Sequence, residues 1–126
     1  MAKNIVFSQN APAPISPYSQ AVQAGNLLFV SGQIAIQQST GSILTGSIEE
    51  ETHQVMKNIG EVLSAAGLNY SHIVKTTIFL KDMDNFPKVN SLYGSYFTSE
   101  PPARETVEVS RLPRDVNVEI SCIAVK

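Results

Sequence analysis

Residues 4–48 contain no Asp, Glu, Lys or Arg, although charged residues make up 16% of the 126-residue chain. This neutral segment is not a membrane span, because Ser, Gln, Asn, Thr, Gly and Pro interrupt it throughout. A disordered polar tail is a second interpretation, but residues 27–30 are apolar and typical of a strand. Charge depletion is also typical of surfaces buried between subunits. We favour this third interpretation, in which the neutral segment contributes to a subunit interface.

Composition excludes several classes of protein. The net charge is −2 and the pI about 5.6, so the chain lacks the basic surface expected of a nucleic-acid or anionic-membrane partner. A single cysteine, Cys122, excludes a disulfide framework, and two histidines are too few for a metal cluster. We therefore predict no metal cluster. The N-terminus has no apolar signal-peptide region, so the expected compartment is the cytoplasm.

Two helices are predicted. Ser47 and Glu50 match a capping box that starts a first helix over residues 48–66. Apolar residues then recur at helical spacing, and Gly67 supplies the C-terminal stop. Asp84 is the expected N-cap of the second helix.

Six further segments have the composition or the alternation of β-strands. They are residues 5–7, 21–23, 27–34, 73–81, 104–109 and 116–125. The order β-β-β-α-β-α-β-β predicts one α+β domain over residues 1–126. Both helices are expected to cover one face of a single sheet of about six strands.

Strand alternation predicts which polar residues meet. Arg104 and Thr106 share one face of the fifth predicted strand, and Glu119 lies on the polar face of the sixth. Val107 is expected on the helix-covered face. If the two strands pair as a hairpin around Pro113, Arg104 and Glu119 lie together on the helix-free face. This pairing is a hypothesis, because sequence alone does not fix strand register.

A helix-free sheet face would meet water or another subunit, and the neutral segment favours a subunit. In such a junction Arg104 could bind a carboxylate through two parallel hydrogen bonds. Glu119 could relay protons to and from water. Together the two residues suit hydrolysis of a small acid with an electrophilic carbon. An ordinary ion pair on a polar face is the alternative, and the pattern alone favours it.

Short motifs in collinear order along nearly the whole chain resemble those of the Rid (YjgF) family, and in particular its RidA branch. Each motif alone is weak, but the ordered set is highly specific. The motifs are Asn10-Ala11-Pro12, Ile15-Ser16-Pro17-Tyr18-Ser19-Gln20, Val30-Ser31-Gly32-Gln33-Ile34, Ala65-Ala66-Gly67, Ile73-Val74-Lys75-Thr76-Thr77, Val89-Asn90, Pro102-Ala103-Arg104, Val107-Glu108-Val109, Arg111-Leu112-Pro113 and Val118-Glu119-Ile120.

The resemblance implies a chorismate-mutase-like homotrimer with three sites in the clefts between subunits. It implies hydrolysis of reactive 2-imino acids and their enamine tautomers, such as 2-iminobutanoate and 2-iminopropanoate, to 2-oxo acids and ammonia. No metal or cofactor is implied for this reaction.

The resemblance also implies roles for individual residues. Arg104 resembles the family's carboxylate-binding arginine, and Glu119 resembles the glutamate that positions or activates the hydrolytic water. Thr106 stands where the family often has Cys, so a thiol role is excluded, although its backbone N–H could face the substrate carboxylate. The pocket or site-supporting residues carried over by position are Tyr18, Ser31, Gly32 and Asn90.

Alternatives remain at this point. Tyr18 could instead belong to a Pro-rich loop, and Ser31-Gly32 could form a β-bulge. A non-catalytic trimeric sensor of small carboxylates would retain Arg104 without turnover. A ribonuclease or translation inhibitor is a further alternative, which the acidic pI and the lack of a basic-aromatic stripe disfavour.

Overall fold

In the computed structural model, which describes residues 2–126, the first helix forms as predicted. Helix α1 spans Ile48–Ala65, and the Ser47 side chain accepts a hydrogen bond from the backbone N–H of Glu50 at 3.1 Å. Gly67 follows the helix with a φ of 75°, a left-handed conformation that suits glycine. The buried stripe of α1 packs on the sheet.

The second helix begins later than predicted. Helix α2 spans Phe86–Gly94, and a 3₁₀ turn over Met83–Asn85 precedes it. The Asp82 side chain caps this turn by accepting a hydrogen bond from the backbone N–H of Asp84, so the prediction of Asp84 as N-cap is wrong. Pro87 lies in the first turn of α2, where proline is tolerated.

The strands form one six-stranded sheet in the order β1-β2-β3-β6-β4-β5. The predicted α+β class and the single sheet with two helices are confirmed. All neighbouring strands are antiparallel except β4 and β5, which are parallel. The strand bounds are Lys3–Val6 for β1, Ala21–Ala24 for β2, Leu27–Gln33 for β3, Ile73–Leu80 for β4, Ala103–Glu108 for β5 and Val118–Val125 for β6.

The predicted hairpin between the last two strands is wrong. Strand β5 pairs with β4 through a parallel crossover that contains α2, and β6 lies between β3 and β4. A parallel pair needs a long crossover of this kind. The burial of the two strands explains their places. Every second residue of β6 is buried, as in a central strand, whereas β5 is mostly exposed and lies at the sheet edge.

Register then places Arg104 and Glu119 on opposite faces. Arg104 and Cys122 both lie opposite Thr76, which is buried beneath the helices. Glu119 lies opposite Phe79 on the other face. Directly opposite residues in a sheet share a face, so the predicted meeting of Arg104 and Glu119 within one chain is wrong.

The other residues of β5 alternate between the two faces of the sheet in the same way. Thr106 lies opposite Ile78 on the helix-covered face, with Arg104 and Glu108. Val107 lies opposite Phe79 on the helix-free face and is 42% exposed, so its predicted burial under the helices is also wrong. The polar alternation of an edge strand does not indicate which face is covered, because both faces remain partly solvated.

The helix-free face leaves apolar side chains exposed. Ile5, Phe29 and Val107 are 57%, 43% and 42% exposed on it. A set of exposed apolar side chains on one face is typical of an interaction surface. Within residues 2–126, no helix is both long and apolar enough to cross a membrane.

Candidate active site

A cavity of about 670 Å³ lies beside Glu119. The neutral segment supplies most of its wall, including Tyr18, Ser31 and Gly32. The structure thus brings together four of the predicted site residues, which we call the Glu119 cluster: Tyr18, Ser31, Gly32 and Glu119.

Ser31 and Gly32 form a β-bulge in β3. Between Val30 and Gln33 the register against β6 shifts, because three steps along β3 match two along β6. The Ser31 hydroxyl donates a hydrogen bond of 2.6 Å to the carbonyl oxygen of Ser19 and so ties the bulge to the loop before β2. The bulge interpretation of these two residues is therefore confirmed, and the bulge lies in the cavity wall.

The carboxyl group of Glu119 lies directly against the backbone of Gly32. A Cβ atom added at Gly32 would be 2.8 Å from the carboxyl carbon of Glu119, so a larger residue would displace that carboxyl group. Burial raises the pKa of Glu119 above its ordinary value of 4.5, because a half-buried carboxylate loses hydration. A carboxyl group of this kind is suited to exchange protons with a bound water.

Gln20 holds the Pro-rich loop that carries part of the cavity wall. Its buried side-chain oxygen accepts a hydrogen bond from the backbone N–H of Ser8 at 2.6 Å. Its amide nitrogen donates to the carbonyl oxygens of Ser8 at 3.1 Å and Pro12 at 2.9 Å. Tyr18 follows this loop and is 48% exposed, so its ring is accessible to a ligand or a second subunit.

Arg104 belongs to a second cluster on the helix-covered face. Its Nη1 donates a hydrogen bond of 2.7 Å to the side-chain oxygen of Asn90 in α2. The guanidinium carbon lies 5.4 Å from the ring centroid of Phe86 and 5.2 Å from that of Tyr93, within the range of cation–π contact. Asn90 and the two rings fix the guanidinium, while the Arg104 side chain remains accessible at the sheet edge.

Thr106 lies two residues beyond Arg104 on the same face of β5. Its hydroxyl oxygen is buried and, within residues 2–126, has no hydrogen-bond partner. An unsatisfied buried hydroxyl is uncommon in native proteins. We call Asn90, Arg104 and Thr106 the Arg104 cluster.

The two clusters do not meet within one chain. Two strand spacings and three residues along the strand separate the Cα atoms of Arg104 and Glu119 by about 14 Å. Their side chains also leave opposite faces of the sheet. One small molecule therefore cannot contact both residues of the same subunit.

Residues 2–126 contain no group of three His, Cys, Asp or Glu side chains arranged to hold a metal ion. The absence of a cofactor stays a prediction from sequence.

Comparison with known proteins identifies the family. The model of the family described as Endoribonuclease L-PSP matches residues 8–126. The chain belongs to this family, the YjgF/Rid family. A RutC family protein of Pyrococcus horikoshii is 52% identical over 124 residues, 98% of each chain. The mouse 2-iminobutanoate/2-iminopropanoate deaminase is 44% identical over 124 residues, 98% of this chain and 92% of the mouse protein.

Solved structures of Rid proteins have the same fold. A Yersinia pestis protein of the conserved Rid family superposes with a TM-score of 0.97 at 47% identity, covering 99% of this chain and 100% of that one. The Escherichia coli protein TdcF with bound serine superposes with a TM-score of 0.94 at 36% identity, covering 98% of each chain. The resemblance inferred from the motifs is therefore confirmed, together with the fold it implied.

The role of one buried carboxylate in this Rid protein was not predicted from the sequence. Glu51 of α1 is fully buried, and its oxygens accept hydrogen bonds from the backbone N–H of Asn117 at 2.7 Å, from the Asn117 side chain at 2.8 Å and from the backbone N–H of Val118 at 3.1 Å. These bonds fix the start of β6, and thus the strand that carries Glu119. A buried position on the apolar side of the helix was the available signal, but Glu51 stands in an acidic first turn that suggests solvent.

We expect Glu51→Ala to lower the free energy of unfolding by about 3 kcal/mol, because it leaves the buried N–H of Val118 and the partly buried N–H and side-chain amide of Asn117 without an acceptor. Urea unfolding followed by circular dichroism measures the change. Glu49→Ala, in the same turn but exposed, is the matched control and is expected to change stability by less than about 0.5 kcal/mol. Equal effects of the two substitutions would contradict the anchoring role of Glu51.

Proposed function

We propose that this chain is a 2-iminobutanoate/2-iminopropanoate deaminase, which hydrolyses reactive 2-imino acids to 2-oxo acids and ammonia. The observation that carries the proposal is the half-buried Glu119 carboxyl group, with its raised pKa, in the wall of a cavity formed mostly by the neutral segment. The deaminase relative from mouse supports the same reaction class. The relative with bound serine supports recognition of a small amino-acid-like carboxylate.

The site is assembled between subunits of a homotrimer. Two observations support this arrangement: the two clusters lie on opposite faces of one sheet, and the helix-free face exposes apolar side chains. In the trimer, the Arg104 cluster of one subunit faces the Glu119 cluster of its neighbour. The neutral segment then forms part of the wall between subunits, where charge depletion is expected.

Binding in this cleft begins with Arg104. Its guanidinium fork binds the substrate carboxylate through parallel hydrogen bonds. Asn90 and the rings of Phe86 and Tyr93 hold the fork in one orientation, so that little conformational freedom is lost on binding. Thr106, two residues along β5 on the same face, adjoins this carboxylate site.

Glu119 then transfers the protons of the reaction. Its carboxylate takes a proton from water as the water oxygen attacks the imine carbon, and it returns that proton to the imine nitrogen. The resulting carbinolamine loses its hydroxyl proton to Glu119, which passes the proton to the amino group. The carbon–nitrogen bond breaks, ammonia leaves and the 2-oxo acid forms. Orientation and modest acid–base assistance suffice for this reaction, because such imines hydrolyse slowly in water unaided.

A coupled assay tests the proposal. Threonine dehydratase supplies the enamine that tautomerises to 2-iminobutanoate, and formation of 2-oxobutanoate is followed with and without the protein. The proposal predicts a clear acceleration over the spontaneous rate. A protein that binds 2-oxobutanoate in calorimetry without accelerating hydrolysis would instead be a small-carboxylate sensor.

We expect Glu119→Gln to stabilise the fold at neutral pH. Burial raises the pKa of Glu119 in the folded state, so the folded state favours the protonated form. The stability from this proton is fully present below about pH 4.5 and is lost as the pH rises through the folded-state pKa. The stability difference between variant and wild type should therefore be absent at low pH and grow as the pH rises to 7. Urea unfolding across this range measures it, and a constant difference would contradict the burial argument.

A further inference from the structure

Two charged residues line the Glu119 cavity, Arg114 and Glu119. The remaining lining residues are neutral, and most come from the neutral segment. The proposed reaction uses Glu119 and leaves Arg114 without a role. Within residues 2–126, the Arg114 side chain makes no hydrogen bond or ion pair. The cavity thus contains a cation that forms no ion pair with a described residue.

The backbone at Arg114 has an unusual conformation. Arg114 and Asp115 have φ angles of 57° and 56°, in the left-handed region that side chains other than glycine rarely adopt. Strain of this kind is concentrated at functional sites. Glycine would meet the needs of the turn better than arginine, so the turn itself does not explain the residue at position 114.

Contacts on both sides fix this turn beside the cavity. Lys81 pairs with Asp115 at 2.8 Å, and the backbone N–H of Asp115 donates to the carbonyl oxygen of Leu112 at 3.0 Å. Glu51 binds the backbone N–H of Asn117 just after the turn. Arg114 and Glu119 therefore extend from the two ends of one short segment that is held at several points.

Resting on the proposed function, we propose that Arg114 is a second anion receptor, which makes 2-imino acids with an acidic side chain the preferred substrate class. When Arg104 of the neighbouring subunit binds the first carboxylate and the imine carbon lies near Glu119, the substrate side chain extends into the cavity. Arg114 binds the second carboxylate there. The mostly uncharged cavity wall screens the attraction between Arg114 and this carboxylate less than water would.

The reaction itself is unchanged for such a substrate. Water adds to the imine carbon of 2-iminosuccinate or 2-iminoglutarate, the carbon–nitrogen bond breaks, and oxaloacetate or 2-oxoglutarate is released with ammonia. Arg114 exchanges no proton or electron. It is a specificity-determining residue, so its effect falls on the choice between substrates.

The test compares the hydrolysis of two imines that are generated in situ by other enzymes. L-Aspartate oxidase supplies 2-iminosuccinate and threonine dehydratase supplies 2-iminobutanoate, and kcat/KM is measured for each. The wild type should prefer 2-iminosuccinate by about tenfold or more, the usual effect of a charge-assisted hydrogen bond. Arg114→Gln should reduce this preference about 10- to 100-fold. Arg111→Gln, which removes an exposed arginine outside the cavity lining, should leave the preference unchanged.

A second variant separates recognition from structure. Arg114→Gly relieves the left-handed backbone, so it should raise the Tm while it abolishes the preference for the dicarboxylate. A purely structural arginine would not link higher stability to lost discrimination. A wild type without preference for 2-iminosuccinate, or an Arg114→Gln variant that weakens both substrates equally, would overturn the proposal.

A binding measurement keeps this inference distinct from the deaminase proposal. If neither imine is accelerated, the deaminase proposal fails, and calorimetry with 2-oxoglutarate and 2-oxobutanoate then tests Arg114 alone. Weaker binding of only the dicarboxylate to Arg114→Gln would support the anion receptor. Equal affinities of the variant and the wild type for 2-oxoglutarate would overturn it.

Discussion

Replacing Arg104 by alanine is expected to lower kcat/KM for 2-iminobutanoate about 100- to 1000-fold, because two charge-assisted hydrogen bonds to the substrate carboxylate are lost. The fold should be little affected. Arg104 is exposed at the edge strand, and its contacts with Phe86 and Tyr93 contribute about 1 kcal/mol. The dehydratase-coupled assay measures the rate, and urea unfolding verifies the stability. Arg111→Ala, another exposed arginine near the C-terminus, is the matched control and should retain full activity.

Lysine at the same position distinguishes charge from geometry. Arg104→Lys keeps the positive charge but loses the planar fork and its stacking between the rings, so we expect it to lose most of the same activity. Asn90→Ala should have a smaller effect, mainly on KM, because it frees one N–H of the fork from its positioning bond. If Arg104→Ala hydrolyses 2-iminobutanoate as fast as wild type, Arg104 is not the carboxylate receptor.

The second large effect is expected for Glu119→Gln. The substitution keeps the size of the side chain but removes the acid–base group, and such groups typically contribute 100- to 10,000-fold. We expect kcat to fall within about that range while KM changes little. Ser121→Ala, on the same face of β6 but outside the cavity lining, is the control and should keep its activity.

The pH profile provides an independent check on Glu119. Since burial raises its pKa above 4.5, wild-type activity should decline on the acid side at a higher pH than an ordinary glutamate would give. The residual activity of Glu119→Gln should lack this decline. A variant that retains both the rate and the acid limb would contradict the assignment of Glu119 as the proton carrier.

Local sequence signals predicted the elements of this fold well. The N-cap signal at Ser47 located α1, and β-branched alternation located β4 and β6. Strand pairing was wrong where the prediction relied on short sequence distance. The hypothesis of a hairpin around Pro113 is wrong, because the crossover through α2 places β5 parallel to β4, and the apolar alternation of β6 suits a central position. Long-range pairing depends on the whole sheet, which a local pattern does not encode.

In the candidate site, too, the individual residues were predicted but their long-range arrangement was not. Family motifs supplied Tyr18, Ser31, Gly32, Asn90, Thr106, Arg104 and Glu119 as candidates. Their separation into two clusters depended on sheet order, which reversed the expected face of Arg104. The roles of Glu51 and Gln20 were missed, because they come from bonds to distant backbone groups. Because Arg104 and Glu119 lie on opposite faces of the sheet, the proposed function requires a site shared between subunits. The neutral segment would form part of the wall of that site.

Subunit mixing tests this central claim most directly. Arg104→Ala and Glu119→Gln are each expected to be nearly inactive alone. When equal amounts are unfolded together and refolded, a cleft that takes Arg104 from one subunit and Glu119 from the next is intact in about a quarter of cases. The account predicts recovery of about a quarter of wild-type deaminase activity in the mixture. No recovery, in a mixture shown by mass spectrometry to contain mixed oligomers, would contradict a site shared between subunits.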